Sequence, residues 1–415
     1  MFDKLYARVA GTPDHDNEAH NGMMQAFALA CTRFADGLTS PQLVLAWLMS
    51  LLGVPVGMIG ALAPIREAGA LLPQAFVAAE LEKRARRGHI WVAATVVLGV
   101  MVFAVAITAS TAAGQTAGWI ILGCVVAFAL ARSVFSVASS DMLGKTLGRH
   151  RGVVSGIAGT LGSLGVLGFA LTLIFGIVQG RSGLIYCLIL SGLLFLIAAF
   201  FMSRVIEPAS PSPSRPKISE ILNLLRQDAV LRRFVIARGL LASATLAPPY
   251  FVLLGSEGRA LSGLGALMLA SSLASFLSAY AWGKAADRSA RGVLIVSGVL
   301  GAGATAGAVV AASIGALWAL PFILFVLMVS SHGRFLGRIV FIVALAPADR
   351  RASYIAAANT AMGALLILLG TAVAMLANLG VGVALIALAA MALIGAVMSS
   401  RLPDVKAAQP SGLRA

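Results

Sequence analysis

The sequence predicts an all-α membrane protein with twelve transmembrane helices arranged as two pseudo-symmetric six-helix bundles. Three observations carry that expectation. The chain is 59% hydrophobic and only 11% charged, outside the range of soluble globular domains. Its apolar residues gather in runs long enough to cross a hydrocarbon core of ~30 Å, which takes ~20 helical residues. The two halves of the chain also repeat one another on either side of a polar connection.

The first twenty residues, MFDKLYARVAGTPDHDNEAH, are polar and lack an apolar core. No cleaved signal peptide is expected from them, and 1–22 reads as a tail. Apolar runs at 23–48, 54–80, 90–112, 117–141, 152–178 and 183–204 make a first bundle over 23–204. The connection 205–233 follows. Its Pro/Ser-rich start cannot pack as a helix, whereas ISEILNLLRQ suits a short amphipathic helix on the inner surface. Runs at 234–255, 261–283, 291–312, 317–343, 352–377 and 380–401 make a second bundle over 234–401, and 402–415 is a second tail. All five tryptophans fall at or near span ends, the depth that an indole with an apolar ring and a polar N–H favours. The three cysteines lie inside apolar spans and read as small hydrophobes.

A net charge of +15 would suggest nucleic acid in a soluble protein. Here its distribution encodes topology. With the N-terminus placed inside, the inner segments hold 23 Lys and Arg, and the outer loops hold two, Arg181 and Arg259. That bias puts both termini in the cytoplasm. A shift of 205 residues lays Ala78–Arg87 over Gly283–Gly292, matching Glu82 with Asp287, Lys83 with Arg288 and Arg86 with Arg291; it also lays Arg33 on Arg238. A shift of 200 lays HRGVVSG over RRASYIA. Two parallel six-span halves with a site at the midplane is a transporter architecture.

The segment GKAADRSAR, Gly283–Arg291, fits the G-x-x-x-D-R-x-x-R signature of the major facilitator superfamily between spans eight and nine, and the worn copy sits between spans two and three. The chain resembles that superfamily over about 23–401. The resemblance implies its fold, rocking of two halves, and a conformational latch formed by Gly283, Asp287, Arg288 and Arg291 with Glu82 and Arg86 of the first copy. In physical terms, Gly283 would let two helix ends approach, and Asp287 would accept from free N–H groups at a helix N-terminus. The alternative is a loop that serves only as a positive topology signal. The first copy departs from the signature, with Ala78 for the glycine and Glu82 for the aspartate.

In span four, RSVFSVA resembles the family's R-x-x-x-G-x-A pattern, with Ser136 at the glycine position. The resemblance implies help with proton transfer from Arg132; the alternative is an arginine bonded to a neighbouring carbonyl or acid. Span five carries Gly156, Gly159, Gly162, Gly165 and Gly168, a row that predicts a groove for a close neighbour. It lacks the Gly-Pro element of drug/proton antiporters.

Nine ionisable residues lie within spans: Arg33, Asp36, Arg66, Glu67, Arg132, Arg238, His332, Arg334 and Arg338. Each arginine at a helix centre facing lipid would cost ~2.5–3.5 kcal/mol, so these side chains are expected to face a watery cavity or one another. Asp36 shares a helix face with Arg33, and Arg338 with Arg334. The arginine excess selects Arg33, Arg66, Arg132, Arg238 and Arg334 as candidate substrate-binding residues. Asp36, Glu67 and His332 are candidates for proton coupling, and Arg238 and Arg338 also suit gating salt bridges. No metal-ligand cluster, phosphate loop or nucleophile constellation stands out, so neither enzyme activity nor a cofactor is expected.

The sequence thus reads as a secondary active transporter working by alternating access on a small organic anion, with proton coupling left open. Its expected surroundings are the cell membrane and its lipid, with no nucleic-acid partner and a monomeric state. One alternative is a proton-coupled exporter of neutral or cationic compounds; another, from a different class, is a transporter-like sensor or assembly partner that does not transport.

Overall fold

A computed structural model describes residues 17–82, 84, 86–147, 150–208, 218–256, 261–347 and 351–403. The described residues are almost entirely helical and contain no strand. Ten helical stretches are long and apolar enough to cross a membrane, and they correspond to the third to twelfth expected spans. The first two expected spans are helical but interrupted, and the reason is proline.

Helix α1, Glu18–Leu38, begins before the expected start at 23 and stops short of Pro41, which lacks an N–H and disfavours helix in the residue before it. The chain continues through a π-helical turn, Pro41–Leu45, in which Leu45 N donates to Ser40 O at 3.0 Å. It then resumes as α2, Ala46–Leu51. The second expected span is divided into α3, Val56–Leu71, and α4, Gln74–Glu82, across Pro73.

The continuous helices of the first half are α5 (Gly88–Thr111), α6 (Gly114–Leu147), α7 (Arg151–Ile174) and α8 (Gly180–Ser203). The expected amphipathic segment forms α9, Ile218–Gln227. The seventh span comprises α10 (Ala229–Leu241), α11 (Ser243–Leu246) and α12 (Pro248–Gly255). The remainder are α13 (Leu261–Arg288), α14 (Ala290–Ser313), α15 (Leu320–Leu345), α16 (Arg351–Leu376) and α17 (Val381–Ser400).

The described residues fall into two compact units. The first draws on Met1–Pro55, Gly69–Arg215 and Arg259–Gly265, and the second on Val56–Ala68, Pro216–Gly258 and Ala266–Ala415. In the first unit α1 packs on α7 and α8, and α5 on α6 and α8. In the second, α10 packs on α16 and α17, and α14 on α15 and α17. These are the same pairings in repeat-equivalent helices, so the internal repeat seen in the sequence is also a repeat of packing.

The glycine row of α7 is a seat for α1. A Cβ at Gly162 would lie 2.5 Å from Cβ of Arg33, and one at Gly165 would lie 2.7 Å from the Phe34 ring. Gly156 and Gly168 meet nothing comparable. The tryptophans differ in burial, and Trp282 is half-buried with its ring N–H donating to Val329 O at 2.9 Å. Trp119 and Trp318 are exposed, as expected at a membrane surface, but Trp47 and Trp91 are fully buried in the core. Proximity to a span end does not decide whether an indole faces the interface or a neighbouring helix.

Candidate functional site

In the first unit, α1 and α6 bring Asp36 and Arg132 together. Arg132 Nη2 donates to Asp36 Oδ2 at 2.5 Å, and the guanidinium carbon lies 4.7 Å from the centre of the Phe135 ring. Asp36 therefore takes its ion-pair partner from another helix. Arg33, one turn away from Asp36 on α1, is exposed and lies against Gly159 and Gly162 of α7.

The second unit collects the other arginines. Helix α3 contributes Arg66 and Glu67, joined at 2.6 Å. Helix α10 contributes Arg238, and α15 contributes Arg334 and Arg338. Arg238 and Arg334 are buried, and their helices α10 and α15 touch within this unit. No ion pair holds any of these three among the described residues. Arg238 Nη2 donates to the Asn359 amide oxygen at 3.0 Å, Arg334 donates to the Thr245 hydroxyl, and Arg338 stacks 4.8 Å from the centre of Phe335. The Nε groups of all three are buried and lack a hydrogen-bond acceptor. Arg334 also lies close to Ser243, Ser297 and Ser330, packed with no space for a water between them. His332 donates from Nδ1 to Met328 O of its own helix at 2.8 Å, one turn back.

Neutral holders matter because an amide or hydroxyl oxygen orients a guanidinium without cancelling its charge. A buried charge left in this state is costly. A guanidinium held in this way keeps its forked N–H groups able to meet carboxylate or phosphate oxygens.

The signature loop has two kinds of contact. Ser289 caps α14, its hydroxyl accepting from Gly292 N at 3.0 Å, and Arg291 Nη1 reaches Leu402 O at 3.2 Å. Arg288 is exposed. Among the described residues, a Cβ at Gly283 would meet nothing within 4 Å. The side chains of Asp287 and Glu82 lie outside what the structure describes, as does Lys83.

At the worn copy, Arg86 is exposed and the neighbouring Arg87 makes the contacts. Arg87 Nη1 meets Asp141 at 2.6 Å, while the Glu207 carboxylate accepts from Arg87 N at 2.8 Å and from Gly88 N at 2.7 Å, capping α5. Lys145 joins both acids, at 3.3 Å to Asp141 and 3.1 Å to Glu207. Sequence reasoning missed this cluster. The available signal was the presence of acids at span ends beside an otherwise basic loop.

The model of the Major Facilitator Superfamily matches residues 26–371. The chain belongs to the major facilitator superfamily. Solved structures agree on the fold of this superfamily member. A form of the nucleoside transporter NupG aligns with a TM-score of 0.76 at 12% identity, covering 92% of this chain and 99% of that one. The xylose transporter XylE from E. coli, in an inward open conformation, aligns with a TM-score of 0.69 at 13% identity, covering 93% and 97%. A POT family transporter in complex with a thioalcohol-conjugated peptide gives 0.68 at 12% identity, covering 91% and 95%. No curated protein matches the sequence. The superfamily member is a multi-pass membrane protein and a secondary transporter, not an enzyme.

Proposed function

We propose that the transported solute is a small organic anion, a carboxylate or a phosphate ester. One observation carries this reading: Arg238, Arg334 and Arg338 share one unit and are held by an amide, a hydroxyl and an aromatic ring rather than by carboxylates. The structural neighbours name solutes as different as nucleosides, D-xylose and a peptide conjugate. The fold is therefore silent on substrate, and the choice rests on the arginines.

The test is a thermal-shift screen of carboxylates and phosphate esters against neutral and cationic solutes, on purified wild type and Arg334→Lys at two pH values. Arg334→Lys keeps the charge but loses the planar fork. It should weaken anion binding while expression stays intact. A neutral or cationic solute that bound both proteins equally, with no anion binding either, would sink the reading.

A second feature favours coupling to protons. Asp36 and Arg132 are each about one-fifth exposed and joined at 2.5 Å, so a proton arriving at Asp36 would free Arg132. Asp36→Asn should then flatten the pH dependence of uptake into proteoliposomes. An unchanged pH profile would leave the pair a packing element.

The charge bias supports the cell membrane with both termini cytoplasmic. Cysteines placed at Ser182 and Gly315 should label from outside, and one at Ser212 only from inside. The Arg291 contact to the Leu402 carbonyl supports a latch at the signature loop. On that reading Asp287→Asn should change inside/outside accessibility without loss of insertion.

A further inference from the structure

Helix α8 packs on α1 and α5, and another of its faces bears Tyr186, Leu190, Leu193, Ile197 and Phe200, all exposed. Steps of three and four residues keep these side chains on one stripe of the helix. Arg204, four residues beyond Phe200, ends the stripe and is also exposed. From Tyr186 to Arg204 the stripe rises about 27 Å, at ~1.5 Å per residue, close to the ~30 Å of a hydrocarbon core. In a multi-pass membrane protein such a stripe meets lipid chains, with Tyr186 at one interface and Arg204 at the other. Arg204 has a fixed seat there. Its guanidinium carbon lies 4.9 Å from the centre of the Phe200 ring. Phe200 meets Phe201 edge-on at 5.8 Å, and Phe201 stacks on Phe27 of α1 at 5.6 Å, which ties the seat to a second helix. Among the described residues no acid or hydrogen-bond acceptor meets the Arg204 guanidinium. The nearby Glu207 is engaged by Arg87 N, Gly88 N and Lys145.

We propose that Arg204 and Phe200 form a binding site for the phosphate of an anionic phospholipid, whose acyl chain lies along the stripe from Ile197 toward Leu190. The site is independent of the transported solute. A ring face holds a guanidinium by its flat side and leaves the N–H groups at its edge free for phosphate oxygens. A soluble phosphate would gain only that fork. A phospholipid also covers the apolar stripe that leads away from it, and a basic side chain at a membrane surface attracts an anionic headgroup. The second half supplies a natural control. Helix α17 exposes Val383, Ile386, Ile394 and Val397, and the chain reaches exposed Arg401 just beyond it. Val397 stands four residues before Arg401, where α8 has Phe200 before Arg204. An arginine with no ring to rest on gives up more conformational freedom when it holds a headgroup.

The test titrates the purified full chain in detergent with phosphatidylglycerol and, separately, with phosphatidylcholine, and counts bound lipid by native mass spectrometry. Wild type should prefer phosphatidylglycerol. Arg204→Gln should weaken phosphatidylglycerol binding by about fivefold, the factor expected for one basic residue at an anionic lipid surface. Phe200→Leu should weaken it in the same direction although no charge is lost. Phe200→Trp, which keeps a ring under the guanidinium, should stay near wild type, and so should Arg401→Gln. The substituted side chains are exposed, so the melting temperature without added lipid should not change.

No preference for phosphatidylglycerol in wild type overturns the proposal. So do equal losses in Arg204→Gln and Arg401→Gln, or no loss in Phe200→Leu, because undirected attraction to basic residues would then account for the binding. A last arm adds millimolar inorganic phosphate to the lipid-bound protein. The lipid should stay; its displacement would make the occupant a free ion and overturn the assignment to a phospholipid.

Discussion

The two units use arginine in opposite ways. In the first, Arg132 meets a carboxylate, Asp36, at 2.5 Å. In the second, Arg238 and Arg334 meet an amide oxygen and a hydroxyl, and Arg338 meets a ring face. The helices concerned are related by the internal repeat and pack in the same pairs, so the difference lies in the side chains. A carboxylate partner cancels charge and makes a pair that a proton can open. A neutral partner fixes geometry and leaves the charge available. On this comparison the second unit carries the anion reading proposed above, and the first carries the proposed proton coupling.

The substitution with the largest expected effect converts the second arrangement into the first. Asn359→Asp keeps the shape of the holder beside Arg238 and gives it a charge. An anion then competes with a fixed carboxylate, and hydrogen bonds to charged groups are worth ~1.5–3 kcal/mol. Anion binding should fall by roughly 10–100-fold, as measured by calorimetry, with the melting temperature unchanged or raised. Retained affinity would break the contrast between the units.

Next is the converse change. Asp36→Asn leaves Arg132 with a neutral holder, which makes the first unit resemble the second. Breaking a fully buried pair costs ~3–5 kcal/mol. With about one-fifth of each side chain exposed, a loss of about 2 kcal/mol is expected in denaturant or thermal unfolding. A stability equal to wild type would show that the pair is solvated in practice.

Much of this was legible in the sequence, but only in part. Ten spans follow from apolar runs alone, and the repeat in sequence is also a repeat in packing. The interruptions in the first two spans follow from Pro41 and Pro73, which the apolar runs concealed. Which residues pair was less accessible. Spacing put Asp36 on the same face as Arg33, yet α7 seats Arg33 against its glycines and α6 supplies the partner. That choice is made by tertiary packing, and no local pattern encodes it. Asn359 and Thr245 were missed because a neutral polar residue in an apolar run does not declare whether it bonds its own helix or an arginine on another. At the worn loop, Arg87 rather than Arg86 makes the ion pair, a difference of one residue that the alignment of the two copies could not resolve.

A third experiment compares how the units seat their helices. Gly162→Ala would push a Cβ to 2.5 Å from Cβ of Arg33 and 3.3 Å from Ala30 O, while Gly370→Ala would meet Pro64 at 2.2 Å. None of these neighbours is the free end of a flexible side chain, so overpacking should cost about 1–3 kcal/mol in each unit. Gly156→Ala meets open space. It should be neutral or slightly stabilising, because alanine favours helix. Equal effects at 156 and 162 would mean that the glycine row is not a packing groove.

The smallest effect concerns the N-terminal ends of the first helix in each unit. In the first unit, Glu18 at the start of α1 pairs with His150 beside α7 at 2.5 Å, both buried. In the second, Asp228 caps α10, accepting from Val230 N at 2.8 Å and Leu231 N at 2.9 Å, and also receives the Tyr354 hydroxyl of α16 at 2.9 Å. Both units therefore tie the first helix of the unit to the fifth through an acid, but only the first unit uses an ionisable imidazole. Tyr354→Phe removes a single donor from an acid that keeps its two backbone bonds. The cost should be about 1 kcal/mol, the usual net worth of one hydrogen bond, seen as a small drop in melting temperature with anion binding unchanged. His150→Phe, by contrast, strips the buried Glu18 of its paired imidazole and should cost more than Tyr354→Phe. If the two losses were equal, the two ties would be equivalent, and the distinction between an imidazole and a phenol anchor would fail at these helix ends.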